Sequence, residues 1–188
     1  MLPKKEVFIL HNDVKEILFD QEVLGEKIDQ LGQQITEDYS GKDLLLVSVL
    51  KGANVFVADL MRKIKIPLQI DFIAVSSYGL STESSGVVKI IKDLDQSIEG
   101  KDVLIVEDII DTGLTLHYLY ENLLSRKPNS LKICTLLDKP ERRKIDMKID
   151  YKGFDIPDEF IIGYGIDYAE QYRNLPFVGV LKREVYEK

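Results

Sequence analysis

The stretch Val103-Leu-Ile-Val-Glu-Asp-Ile-Ile-Asp-Thr-Gly-Leu-Thr-Leu116 decides the fold. Its first four residues, Val103 to Val106, are apolar without alternation, the pattern of a strand covered on both faces inside a parallel sheet. Two carboxylates, Glu107 and Asp108, follow at once. After Ile109 and Ile110 comes Asp111-Thr112-Gly113-Leu114-Thr115, a turn that opens a helix carrying Leu116, Leu119 and Leu123 along one face. In an open α/β sheet, ligands sit beyond the carboxyl ends of the strands. A helix N-terminus placed there offers unpaired N–H groups and the positive end of its dipole to an anion. The loop suits a monophosphate, because Gly113 permits close backbone approach while Thr112 and Thr115 add hydroxyl donors. It holds Asp111 and no lysine, so it is not the nucleotide-triphosphate loop that ends in Gly-Lys-Ser/Thr. A plainer reading stays open, in which Asp111 or Thr112 caps the helix and Glu107 and Asp108 favour its positive end.

Outward from this segment, Asp20 can cap a helix whose Leu24, Ile28, Leu31 and Ile35 form one stripe, ending near Tyr39-Ser40-Gly41. Leu44 to Leu50 reads as a buried strand, followed by Lys51-Gly52 and a short helix from about Asn54. Further strands are expected over Leu68 to Ser76, over Val87 to Ile91, and from Val103, Leu131, Phe160 and Phe177, with shorter elements near the ends. Alternating strands and helices predict an α/β fold with a parallel central sheet flanked by helices. Tyr78 to Gly86 is polar, bounded by glycine and without apolar period, so it reads as a mobile loop, either a lid or a plain connection. The 188 residues suit a single domain, 1–188, with no internal repeat or interdomain linker.

Apolar residues make up 45% and charged residues 30% of the chain, ordinary for a soluble globular protein. No stretch approaches a membrane span, and the charged start, Met1 to Val7 with Pro3, does not resemble a signal peptide. The single cysteine, Cys134, sits in an apolar run; it excludes an internal disulfide and reads as a buried inert thiol, in keeping with a cytoplasmic location. A net charge of −7 argues against a general nucleic-acid binder, which needs a basic face for phosphates. His11 and His117 lie far apart and suggest neither a zinc site nor a histidine-based triad. The acidic pair is better matched to a local metal ion.

The fourteen-residue string resembles the signature of the purine phosphoribosyltransferases of the hypoxanthine-guanine type, which binds 5-phosphoribosyl-1-pyrophosphate (PRPP). The resemblance runs from about Val7 to Lys182 and rests on four further segments: Leu50-Lys51-Gly52, Ser77-Tyr78, Asp138-Lys139-Pro140, and Phe160-Ile-Ile-Gly-Tyr-Gly-Ile-Asp167 continuing to Arg173. Taken as residues alone, Lys51 is a solvated strand end and Lys139 a turn lysine beside a solvated basic run of Arg142, Arg143 and Lys144. On the same terms Phe160 is a core residue and Asp167 a turn residue, and Gly163-x-Gly165 is too short for a dinucleotide fingerprint.

The resemblance implies more. The fold would be of the type I phosphoribosyltransferase kind, with a small hood formed from the chain ends. Glu107, Asp108 and the loop Asp111, Thr112, Gly113, Leu114 and Thr115 would hold the ribose and its phosphate, with Asp111 as the catalytic residue at the purine N7. Lys51, Gly52 and Arg173 would bind pyrophosphate, with a cis peptide between Leu50 and Lys51, and Ser77 and Tyr78 would hinge the lid. Lys139, Phe160, Ile161 and Asp167 would bind the purine, Lys139 donating to its 6-oxo group. Glu107, Asp108 and Asp167 would hold Mg2+. The implied activity converts hypoxanthine or guanine with PRPP to IMP or GMP and pyrophosphate, in a cytoplasmic homo-oligomer, dimer or tetramer, with no nucleic-acid or membrane partner. Leu114 departs from the family, since some members carry lysine there; its absence leaves phosphate binding to amides and hydroxyls. A xanthine-preferring enzyme and a non-catalytic PRPP- or nucleotide-binding regulator are the alternatives. Asp111, Lys139 and the negative net charge weigh against the regulator, and a magnesium-dependent phosphoryl-transfer pocket would leave Lys139 and Phe160 unexplained.

Overall fold

The computed structural model describes residues 12–77 and 88–187, so His11, Tyr78 and the rest of the expected lid lie outside the described residues. The elements follow in the order β1 (Val14–Phe19), α1 (Gln21–Asp38), β2 (Leu44–Leu50), α2 (Asn54–Lys63), β3 (Leu68–Ser77), β4 (Val88–Lys92), β5 (Asp102–Ile110), α3 (Leu114–Leu124), β6 (Ser130–Asp138), β7 (Tyr151–Asp155), β8 (Ile161–Ile162), β9 (Val178–Leu181) and α4 (Arg183–Tyr186). Asp20 caps α1 as its sequence position suggests, its Oδ1 accepting a hydrogen bond from Val23 N at 2.9 Å.

The main sheet has the order β4-β3-β2-β5-β6-β7. Its pairs are parallel except for the antiparallel edge strand β4. The unbroken apolar runs of β2 and β5 are explained by burial on both faces. Leu44, Leu46, Leu104 and Val106 pack with Leu24, Ile28, Leu31 and Ile35 of α1 and with Phe56 and Leu60 of α2. Leu45, Val47, Val103 and Ile105 pack with Leu116, Leu119 and Leu123 of α3 on the other face. Cys134 is fully buried in the first of these layers, and burial pushes its thiol well above the ordinary range, as expected of an inert side chain.

A second, antiparallel sheet of order β1-β9-β8 forms the hood from segments near both ends of the chain. Ile161, Val178 and Val180 join the same apolar cluster as α1, which ties the hood to the main body. Two expectations change here. The strand expected at Phe160 is only Ile161–Ile162 and belongs to the hood, and Phe160 itself is 37% exposed, so it is not a core residue. The strand expected at Phe177 begins one residue later, at Val178.

Strand register sets the site. Parallel pairing places Ile110 beside Asp138, and Lys139 N donates to Ile110 O at 2.9 Å. Asp111 and Lys139 therefore leave adjacent strand ends side by side. Ser48 of β2 pairs with Val106 of β5, which brings the turn after Leu50 level with Asp108.

Candidate functional site

At the centre of the carboxyl edge, α3 starts after Gly113, whose φ of 80° is the left-handed conformation that glycine adopts without strain. Gly113 itself brings no side chain to cap this helix. Thr112 Oγ1 comes only within 3.5 Å of Leu114 N, and Asp111 is engaged elsewhere. Thr112 thus holds one leading amide of α3 at long range, Asp111 holds none, and the other leading amides keep their capacity for an anion. A cavity of about 240 Å³ opens here, lined by Glu107, Ile109, Asp111, Thr112, Gly113 and Thr115 among others. Leu114 is exposed beside it and supplies no charge, so amides and hydroxyls are the donors the loop offers.

Asp108 is buried, with its Oδ1 accepting from Ile109 N at 2.9 Å. Burial raises the carboxyls of both Glu107 and Asp108, and that of Glu107 further because the Asp108 charge lies beside it. The peptide between Leu50 and Lys51 is cis. The following Gly52 is pressed between two neighbours: a Cβ on it would lie 1.7 Å from Asp108 Oδ2, and a Cβ on Gly165 would lie 2.1 Å from Gly52 O. Only glycines allow these segments to touch.

Arg173 is anchored by Nη1 to Gly165 O at 2.9 Å, and its Nη2 pairs with Asp167 Oδ1 at 2.8 Å. Its buried Nε has no hydrogen-bond partner among the described residues. Lys51 Nζ meets Glu170 Oε2 at 3.0 Å. Lys51, Gly52, Asp108, Asp167 and Arg173 therefore form one cluster. Among the described residues no group of three or more acidic, histidine or cysteine side chains converges on a metal position, and Asp167 pairs with Arg173. Glu107 and Asp108 still fit magnesium, which takes hard oxygen ligands and is commonly held by one or two carboxylates, with waters and substrate phosphates completing its shell.

At the end of β6, Lys139 is 9% exposed, not a solvated turn residue. Its Nζ donates to Glu159 O at 2.8 Å and lies 3.7 Å from Asp158. The two arginines of the neighbouring basic run are also paired. Arg143 Nε bonds Asp138 Oδ1 at 2.9 Å, while Arg142 grips Asp111 with two nitrogens, at 2.8 and 3.3 Å, and reaches Asp158 at 3.5 Å. The Phe160 ring stacks on Tyr186 at 4.8 Å and meets the edge of Tyr168 at 5.3 Å. Ile161 is buried in the hood, and Ser77 ends β3. Glu170 and Asp158 escaped the sequence reading, and Arg142 was read only as part of a solvated basic run, because exposed charges in turns carry no pattern of their own.

These features, a phosphate-sized loop at a sheet edge, an acidic pair and two cations beside it, define a phosphoribosyltransferase. Residues 14–169 match the model of the phosphoribosyl transferase domain. The hypoxanthine-guanine phosphoribosyltransferase of Streptococcus thermophilus is 56% identical over 180 residues, 96% of this chain and 100% of that protein. The enzyme of the same name from Bacillus subtilis is 55% identical over 179 residues, 95% and 99% of the two chains. A crystal structure of a hypoxanthine phosphoribosyltransferase from Staphylococcus aureus superposes with a TM-score of 0.93 at 56% identity, covering 96% of this chain and 98% of that one. The chain belongs to the phosphoribosyltransferase family, within it to the hypoxanthine-guanine phosphoribosyltransferases, and is a transferase of purine salvage.

Proposed function

We propose that this protein joins N9 of hypoxanthine or guanine to C1 of PRPP, releasing pyrophosphate and forming IMP or GMP. The observation that carries the reading is the pairing of Ile110 with Asp138, which sets Asp111 and Lys139 next to one another at the carboxyl edge. A 6-oxopurine presents N7 and O6 along one edge, and an acceptor beside a donor matches it. Adenine, whose 6-amino group is a donor, would oppose Lys139. Phe160, held by Tyr186 and half open to solvent, offers a ring face to the base, and Ile161 contributes main chain at the base edge.

Loss of pyrophosphate before the new bond is well formed leaves positive charge on the ribosyl centre, so separated charge must be stabilised at both ends. Lys51 and Arg173 lie where they can take the leaving group, while Asp111 receives or holds the N7 proton as N9 attacks. Asp111 must exchange its Arg142 partner for the purine edge, and Arg142 retains Asp158 when it does. Thr112, Gly113 and Thr115, which line the cavity with Glu107, grip the 5-phosphate together with the Leu114 amide, and Glu107 and Asp108 serve the ribose. Glu107 and Asp108 would hold magnesium, which would supply charge neutralisation at the pyrophosphate, and Asp167 serves the same end by orienting Arg173.

The same proposal treats the chain as one domain and as a cytoplasmic homo-oligomer, dimer or tetramer. Support comes from the shared core of hood and main sheet, the buried thiol of Cys134, and apolar side chains left exposed at Ile91, Tyr118 and Leu124. Among the described residues no helix is long and apolar enough to cross a membrane. The test is a magnesium-dependent assay of PRPP with hypoxanthine, guanine, xanthine, adenine and uracil, following nucleotide and pyrophosphate. IMP and GMP with little product from adenine or uracil supports the reading, and nucleotide from no base overturns it.

A further inference from the structure

The carboxylate of Glu170 lies between the two cations assigned to pyrophosphate. Its Oε2 is 3.0 Å from Lys51 Nζ and its Oε1 is 3.4 Å from Arg173 Nη2. Exposed ion pairs of long side chains are often incidental, and Lys51 and Glu170 are both about two-thirds exposed. What distinguishes this one is the backbone beneath it. Tyr168 and Gln171 exchange main-chain hydrogen bonds, Gln171 N to Tyr168 O at 2.9 Å and Tyr168 N to Gln171 O at 3.2 Å, so that Ala169 and Glu170 are the two central residues of a tight hairpin turn. Both have positive φ, 50° and 64°, the conformation in which such turns strongly prefer Asn-Gly. An alanine and a glutamate occupy it at a cost in backbone strain, which singles the position out. Asp167 secures the turn by accepting from Glu170 N at 2.8 Å and, through its other oxygen, holds Arg173 at 2.8 Å. One carboxylate thus fixes both the anion and one of the cations it faces.

We propose that Glu170 is a specificity-determining residue of the leaving-group site. It occupies Lys51 and Arg173 together, so the site yields to an anion that takes both cations at once, as a pyrophosphate group does, in preference to a single phosphate. The carboxylate returns to the two cations as pyrophosphate departs, which assists release. This rests on the assignment of Lys51 and Arg173 to pyrophosphate made above.

The test is calorimetric titration of the full chain with inorganic pyrophosphate and, separately, with inorganic phosphate, both without magnesium, comparing wild type with Glu170→Gln and Glu170→Gly. Glycine accepts the positive φ, so the second variant keeps the turn even if the first distorts it. Removing two exposed ion pairs should tighten pyrophosphate binding roughly two- to tenfold. Phosphate should gain by a larger factor, narrowing the preference between the two anions. A merely structural role would weaken binding or leave it unchanged. Equal or weaker pyrophosphate binding by both variants would overturn the role of Glu170 while the cation assignment stands. No pyrophosphate binding by any of the three proteins would overturn that assignment and this inference with it.

Discussion

Replacing Gly52 by alanine tests how tightly the Lys51-Gly52 turn is tied to the acidic pair. The new Cβ would lie 1.7 Å from Asp108 Oδ2 and 2.6 Å from its Cγ, so the carboxylate must retreat by about 1.7 Å to reach the ordinary contact distance of 3.4 Å. Asp108 has little room to do so. It is 8% exposed, and its other oxygen accepts from Ile109 N at 2.9 Å. Losing a hydrogen bond to a charged acceptor costs ~1.5–3 kcal/mol. For a chain of this size ~1 kcal/mol corresponds to about 2–4 °C in melting temperature, so a fall of roughly 3–12 °C is expected. If Asp108 serves the ribose as proposed, displacing it by more than an ångström should also cut kcat/KM for PRPP by about 10²-fold. Thermal unfolding and steady-state kinetics on Gly52→Ala, Asp108→Ala and the double variant provide the readout. With the carboxylate gone, the added methyl should cost much less, giving a coupling energy of ~0.5–3 kcal/mol between the two sites. A Gly52→Ala protein with unchanged melting and kinetics, or one whose loss is as large in the Asp108→Ala background, would refute the argument.

Asp111→Asn should lower turnover by ~10²- to 10⁴-fold while sparing much of the PRPP affinity, because the amide cannot take the N7 proton; equal losses in turnover and PRPP binding would contradict that role. Lys139→Met keeps the buried stem but loses the donor, so kcat/KM for hypoxanthine should fall by about 10- to 150-fold, as for a charge-assisted hydrogen bond, and its ratio to adenine should narrow. An unchanged ratio would remove Lys139 from base recognition. Acid stability should respond to the hydrogen bond from Tyr151 OH to Asp38 Oδ2, 2.6 Å long, which with help from Lys132 holds the Asp38 carboxyl below its ordinary value of 3.8. A carboxyl lowered by folding contributes stability that is fully present above its unfolded value and is lost as pH falls through the folded one. The melting temperature of wild type should therefore exceed that of Tyr151→Phe by a constant margin near neutrality, and the margin should shrink below about pH 4. A margin independent of pH would assign the stabilisation to packing of the Tyr151 ring.

The strands β2 and β5 were legible because burial on both faces demands apolar residues at every position, and no other soluble element writes that pattern in so few residues. The helix stripes of α1 and α3 were legible for the complementary reason. Phe160 was misread because a hood strand of two residues is too short for periodicity to show which of three apolar residues faces out. Strand β4 could not be assigned a direction, since an antiparallel edge strand is set by the path of the chain rather than by its composition.

The site divides along the same line. Residue types and local spacing mark the loop from Asp111 to Thr115, but the chemistry of each charged group depends on a partner that lies far away in sequence. Asp111 meets Arg142 across 31 residues, Lys51 meets Glu170 across 119, and the ammonium of Lys139 is drawn inward by the carbonyl of Glu159. These distances are spanned by strand register and by the docking of the hood, neither of which leaves a local mark. The consequence is electrostatic: Lys51, Arg173 and Asp111 each hold an opposite charge, so a ligand entering here exchanges partners with the protein instead of meeting bare ions. Binding energy then reflects the difference between two sets of ion pairs, and a counter-charge such as Glu170 can govern which anions succeed even though it touches none of them.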